Sequence, residues 1–373
     1  MSIGVALLGA GVFARKGMEN ASLSSIPTTL TLCTTEHLPA IKACPSMSLR
    51  AVYSRSQASA EKLAAEAGED VDAYFDSPSV SSKSLDALLS RADIAAVIIA
   101  VAIPVSPELI KEALAAGKHV LSEKPIAPDV KIARELIDHH RQQARGVLWA
   151  VGENFRFWEP VHKAASILKQ MGGSLVTFSV TAFSFTDAEN PFYHSDWRQK
   201  PQFQGGYLLD GGVHFAAVLR TLLAAVGHKA SRISAHTTSL QAHLPPVDTV
   251  HAVLSTDQGR SGTYVSSVGI KSKRGMEFEV VTDKGSVVYR PFQMEIAIKR
   301  EQEGSEWKER SEPAPLMWGV KEEVAAFADC ILTGKLDEKL STSNALEDLR
   351  IVEAMLRSGG KQGLPVDIVG DTA

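Results

Sequence analysis

A chain of 373 residues, 45% hydrophobic and 22% charged, has the composition of a globular protein of about two domains, which excludes a disordered or fibrous class. A formal net charge of −4, with no basic block longer than KSKRG, leaves no electrostatic footprint for nucleic acid. Cys33, Cys44 and Cys330 lack CxxC spacing, so neither a disulfide framework nor a zinc site is expected, and a reducing, cytoplasmic setting fits. The opening MSIGVALLGAG has no positive n-region and no small-residue cleavage site, so a secretory signal is not expected. Nor is any run expected to approach the roughly 18 to 20 apolar residues of a membrane span.

In chain order, IGVALL (3–8) is an apolar run stopped by Gly9 and predicts a buried strand. LRAVYSR (49–55) is a second strand, SAEKLAAEAG (59–68) a helix ending on glycine, and AYF (73–75) a short third strand. SLDALLSR predicts a helix capped by Ser84, and IAAVIIAVA (94–102) a fully buried strand. SPELIKEALAAG has Pro107 at its start and Gly117 at its end, the asymmetry of a helix, and KHVLSEKP follows as another strand. This alternation predicts an N-terminal doubly wound parallel α/β sheet over residues 1–150. The Ser/Thr-rich stretch 20–39 reads as an insertion in the first βαβ unit.

From about residue 174 the pattern changes. SLVTFSVTAFSF, SRISAHTTSL, TVHAVLSTD, RSGTYVSSVG, GMEFEVVTDKGSVVYR and QMEIAIKR are successive β-type runs, with turns at Gly259 and from Asp283 to Gly285. With no crossover helices expected between them, they predict a second, α+β domain over 151–373, built on a large, mostly antiparallel open sheet. VKEEVAAFADCILTG and NALEDLRIVEAMLRSG predict two closing helices.

GAGVFA follows the first strand and opens a helix, the context in which Gly-x-Gly-x-x-Ala signals a dinucleotide site. Gly9 serves the tight turn, Gly11 the approach of a pyrophosphate, and Ala14 close helix packing, with Val12 and Phe13 between them. Amides at the helix N-terminus would meet the phosphates. The alternative is a turn that uses small residues for packing only. A NAD site places an acid at the end of the second strand, whereas this chain has Ser54 and Arg55, which favour a 2′-phosphate and hence NADP(H). A surface arginine after a strand is the other reading. Arg55 lies further than usual from the glycines, which the 20–39 insertion explains.

LSEKPIA (121–127) ends the fifth strand, at the carboxyl edge where ligands of open α/β sheets bind. Glu123 and Lys124 therefore stand beside the expected nicotinamide. Pro125 biases Lys124 toward an extended backbone and permits a cis bond. In GGYLLDGGVHFAAVLRTLL (205–223), Asp210 and His214 stand four residues apart and share one helix face. Histidine titrates near working pH and suits removal of a hydroxyl proton, while an ammonium such as that of Lys124 suits a developing alkoxide. Asp210 would orient the imidazole or hold a substrate hydroxyl. The bland alternative is that Asp210 caps the helix and His214 is a buried core histidine.

Together LLGAGVFA, EALAAGKHVLSEKPIA, ENFRFWEPV, GGYLLDGGVHFAAVLRTL and ALEDLRIVEAMLRSG resemble the glucose-fructose oxidoreductase, inositol dehydrogenase and rhizopine-catabolism (Gfo/Idh/MocA) family over nearly the whole chain. The resemblance implies a Rossmann domain, a C-terminal open-sheet domain and a nicotinamide dinucleotide, and carries the catalytic lysine, aspartate and histidine onto Lys124, Asp210 and His214. One departure is VAIPVSP after the fourth strand, where many members have Thr-Pro-Asn-x-x-His; it looks more like the dihydrodiol and xylose dehydrogenase branch.

Asn154 and Arg156 in GENFRF, and Trp197 and Arg198 in HSDWRQKP, are further candidates for substrate contact. Phe155, Phe157 and Trp158 read as core, and His236, His243 and His251 as structural or surface residues of the sheet; no metal spacing occurs. The sequence thus predicts an NADP-dependent oxidoreductase of a sugar or related polyol. Its rivals are a dinucleotide-sensing regulator of the same fold and a trans-dihydrodiol dehydrogenase. Runs such as TYVSSVG and FEVVTDKGSVVY leave a second, fairly apolar sheet face, which predicts a homodimer or homotetramer. No nucleic-acid or membrane partner is expected.

Overall fold

The computed structural model describes residues 2–10, 37–77, 79–143, 146–190, 193–301 and 307–368. It divides into two compact units, one of Met1–Phe157 and Gly319–Leu346, the other of Trp158–Trp318 and Glu347–Ala373. The stretch Gly319–Leu346, read in the sequence as part of the second domain, packs with the first. That choice depends on which core the helix Val320–Thr333 joins, and its own periodicity does not encode it.

In the first unit, strands β1 (Ile3–Leu8), β2 (Met47–Ser54), β3 (Asp72–Phe75), β4 (Ala96–Ile99), β5 (His119–Glu123) and β6 (Trp149–Gly152) form a parallel sheet in the order β3-β2-β1-β4-β5-β6. That order reverses direction between β1 and β4, the switch point at which open α/β sheets bind ligands. β1 and β4 are buried throughout because helices cover both faces of a parallel sheet. The helix Gln57–Ala67 stops at Gly68, and Leu85–Leu89 starts at Ser84, whose hydroxyl accepts from the Ala87 amide over 3.2 Å. The helix Ser106–Ala115 carries its proline in the first turn. Val320, Val324, Phe327 and Ala328 of the returning helix join Val5, Leu7, Leu38 and Ile41 in one core cluster. Each of the buried valine, leucine, isoleucine and phenylalanine side chains contributes about 1.5–3 kcal/mol.

In the second unit, β7 (Leu175–Phe183), β8 (Ala230–Thr238), β9 (Thr249–Thr256), β10 (Ser261–Ser267), β11 (Gly275–Thr282), β12 (Gly285–Arg290), β13 (Glu295–Glu301), β14 (Trp307–Pro313) and β15 (Val366–Asp367) make one sheet, ordered β14-β13-β12-β11-β7-β10-β9-β8-β15. Every pairing is antiparallel except β7 with β10. The exception corrects the expectation of no crossover: the helix Tyr207–Ala225 carries the chain from β7 to β8, and two hairpins bring it back to β7 as β10. β11 alternates strictly, with Met276, Phe278, Val280 and Thr282 buried beneath the helices and Glu277, Glu279 and Val281 half-exposed on the other face. That outer face is mixed rather than fairly apolar: Val253 and Val265 stand among His251, Thr263 and the two glutamates. His236 and His251 lie on the sheet, but His243 lies in the loop before β9, its Nε2 2.9 Å from the Thr186 carbonyl oxygen.

The helix Tyr207–Ala225 is long and apolar enough to cross a membrane, against the expectation that no segment is. In the structure it is the unit's central helix, packed on Glu159–Met171 and on β7, β10 and β11, with Asp210 and His214 buried on it.

Candidate active site

At the end of β1 the backbone turns through Gly9 at φ +116°, and a Cβ there would collide with the carbonyl oxygen of Ala100. Only glycine meets both demands. The Gly9 amide donates to the Tyr53 carbonyl (2.8 Å), which ties this turn to β2. Gly11, Val12, Phe13 and Ala14 lie outside the described residues, so the dinucleotide turn is seen through Gly9 and Ala10. At the end of β2, Ser54 is half-buried and Arg55 exposed. Beside them the Tyr53 hydroxyl donates to Asp76 Oδ1 (2.7 Å); burial, then that bond, raises the phenol's pKa far above its usual range.

β5 delivers Glu123 and Lys124 to the same carboxyl edge. The Lys124–Pro125 bond is cis, the lysine is buried, and its amide donates to the Gly152 carbonyl over 3.1 Å. Glu123 Oε1 lies 2.6 Å from Nε2 of His37, which is 3% exposed. Sequence reasoning passed over His37 because it sits at the edge of the Ser/Thr-rich stretch, 86 residues from its partner. Asn154 and Arg156 are buried in the 3₁₀ turn Asn154–Phe157, and the Arg156 guanidinium donates to the Lys339 carbonyl over 2.9 Å. Phe155, Phe157 and Trp158 are buried, as expected of core.

In the second unit the helix Tyr207–Ala225 opens on Gly206, at φ +50° and without a side-chain cap. A Cβ on Gly206 would collide with the Pro245 carbonyl oxygen. The Pro245 loop is itself fixed by the buried carboxylate of Asp248, which accepts from the amides of Leu240 and Gln241 and from the Thr249 hydroxyl. Asp210 is therefore not the helix cap. It stands in the first turn, where the helix dipole favours a carboxylate, and accepts from Arg198 Nε over 3.1 Å, the two side chains being 4% and 5% exposed. Arg198 comes from the short helix Asp196–Gln199, with its guanidinium 3.9 Å from the Trp197 ring centre. His214, 1% exposed, follows Asp210 by one turn. Chemically the arrangement offers a carboxylate locked by a guanidinium and an imidazole on the same helix face.

Tyr207 is a neighbour the sequence reading missed. It lies three residues before Asp210 on the same face and is 2% exposed. Burial pushes its phenol far above the usual range; the Arg198 charge opposes this, and those of Asp210 and Tyr193 add to it. Its signal was a tyrosine inside an otherwise small-and-aliphatic GGYLLDGG. Among the described residues no group of three His, Cys, Asp or Glu side chains is arranged to hold a metal.

Two family models cover most of the chain. Residues 3–151 match the family described as "Oxidoreductase family, NAD-binding Rossmann fold", and residues 167–368 match "Oxidoreductase family, C-terminal alpha/beta domain", the Gfo/Idh/MocA pair. The chain is 42% identical over 363 residues to "Dehydrogenase FPY6" of Fusarium mangiferae, covering 97% of each. It is 35% identical over 181 residues to a dTDP-3,4-didehydro-2,6-dideoxy-alpha-D-glucose 3-reductase of Actinomadura kijaniata, about half of either chain (48%). Among solved structures, an oxidoreductase of Thermotoga maritima superposes with a TM-score of 0.81 at 26% identity, over 99% of both chains. The chain belongs to the Gfo/Idh/MocA family of oxidoreductases.

Proposed function

We propose that this enzyme is an NADP(H)-dependent dehydrogenase or reductase of a sugar or related polyol. The observation that carries the reading is the buried Arg198–Asp210 pair with His214 one turn on. A buried guanidinium–carboxylate pair is poor value as mere stability, and here it fixes the carboxylate beside the histidine. The Cβ-free turn at Gly9, on the switch-point edge, fits a dinucleotide pyrophosphate. The nicotinamide, when bound, supplies the hydride acceptor or donor. His214 takes or returns the hydroxyl proton, Lys124 stabilises the alkoxide, and Asp210 orients the imidazole or holds a substrate hydroxyl. Exposed Arg55, with no acid at the end of β2, supports NADP over NAD. The sugar-nucleotide reductase among its relatives supports the substrate class. The regulator reading is set aside, because a relative 42% identical along 97% of the chain is named a dehydrogenase.

We also assign the enzyme to a reducing cytoplasm, which the free, buried thiols of Cys44 and Cys330 support. For assembly we propose a homodimer or homotetramer through the outer sheet face, supported by the exposed Val253 on that mixed face. A monomer in sedimentation at micromolar concentration contradicts that assignment. The test of the main reading is turnover of a sugar and polyol panel with NADP+ and with NAD+: NADP-linked oxidation of at least one member is expected, and no turnover with either cofactor refutes it.

A further inference from the structure

We propose that Tyr207 is a substrate-binding residue: its buried hydroxyl, on the helix face of Asp210 and His214, donates a hydrogen bond to a hydroxyl oxygen of a ring-shaped polyol. This rests on the reading of the enzyme as a sugar or polyol dehydrogenase. Residues 207, 210 and 214 are spaced i, i+3 and i+7, a single stripe of the helix Tyr207–Ala225. Helical side chains lean toward the N-terminus, so the Tyr207 ring projects beyond the first turn, ahead of Asp210.

The hydroxyl has no hydrogen-bond partner among the described residues although its residue is 2% exposed. A buried donor left in this state is costly, and where one persists it calls for an occupant. Tyr264 and Tyr289 also bury hydroxyls without partners, so that property alone does not mark a site. Tyr207 differs in its company: a cation, Arg198, and a carboxylate, Asp210, both act on it, and so does Tyr193. The raised phenol stays protonated across the working range, so it is a donor to substrate and not a proton-abstracting base.

The surroundings define the ligand further. The Tyr193 ring meets His243 edge-on, with centres 5.3 Å apart, and His243 in turn meets Phe185 at 6.1 Å. Neutral hydroxyl donors beside ring edges suit a sugar, which has oxygens around its rim and C–H groups on its faces. A carboxylate or phosphate would call instead for a cation not already paired.

The experiment compares Tyr207→Phe with wild type. The variant keeps the ring and removes only the hydroxyl. On the best polyol of the panel, kcat/KM is expected to fall about tenfold or more, because a site built to bind a hydroxyl discriminates strongly when one partner is removed. The NADP+ dissociation constant and the melting temperature should not change beyond about 2 °C for the latter, since no protein partner is lost. Among mono-deoxy versions of that substrate, one should lose the same factor with wild type and nothing further with Tyr207→Phe. A kcat/KM within twofold of wild type overturns the assignment while leaving the dehydrogenase reading intact. A melting temperature lowered by about 5 °C or more also overturns it, by showing a structural partner for the hydroxyl. If wild type oxidises no sugar or polyol with either cofactor, the parent reading falls and takes this one with it.

Discussion

Arg198 holds Asp210 through an Nε–Oδ2 bond of 3.1 Å, with both side chains at or below 5% exposure. Removing one partner of such a pair leaves an uncompensated buried charge and typically costs about 3–5 kcal/mol. Arg198→Met and Asp210→Leu should each lose stability of that order in urea unfolding. The double variant, carrying neither charge, should be more stable than either single variant and still inactive. Additive losses in the double variant would show that the two side chains do not depend on each other.

Cofactor choice is tested at Arg55, exposed at the end of β2. A guanidinium on a 2′-phosphate contributes about 1.5–3 kcal/mol. Wild type should therefore bind NADP at least about tenfold more tightly than NAD, and Arg55→Ala should bring the two close together. Equal affinities in wild type, measured by calorimetry, would remove the basis for NADP. So would a preference that survives in Arg55→Ala.

Stability should depend on pH through His119, which begins β5 and whose Nδ1 accepts from the Leu148 amide over 3.0 Å. Burial holds this imidazole below its ordinary value of 6.5. The folded state thus favours the neutral ring, and the unfolded chain takes up the proton first. The contribution is complete above pH 6.5 and is lost as the pH falls through the depressed folded value. The free energy of unfolding should fall between pH 7.5 and 5, and His119→Asn should flatten that slope. An identical slope in the variant would assign the loss to other groups.

Local chemistry was legible wherever the signal was local. Ser84 heads SLDALLSR, the place of a cap, and it caps. The glycine stop at Gly68, the strand–glycine junction at Gly9 and the strand end at Glu123 were equally readable, because each depends on residues within one turn. What the sequence hid was long-range. β14 exposes nearly every residue and so carries no alternation; it is a strand because β13 pairs with it. Val320–Thr333 is amphipathic in either unit, and only packing against Leu38, Ile41 and Val5 assigns it to the first. By sequence alone a cap role for Asp210 stands as the alternative to a catalytic one, because a carboxylate near a helix start often caps it. Here the cap position is taken by Gly206, forced by the Pro245 carbonyl, which leaves the carboxylate for Arg198.

The central claim is that His214 and Lys124 act in chemistry and not in folding or cofactor affinity. The direct measurement is kcat for His214→Asn, Lys124→Met and their combination on a substrate that wild type turns over, alongside the NADP dissociation constant. Each single variant should lose roughly a hundred- to ten-thousand-fold in kcat. The double should be little worse than the poorer single, because groups acting as one unit are not additive. NADP affinity should stay near that of wild type, since neither side chain is assigned to the phosphates. Near-wild-type kcat in both single variants would contradict the account and leave His214 as a buried core histidine.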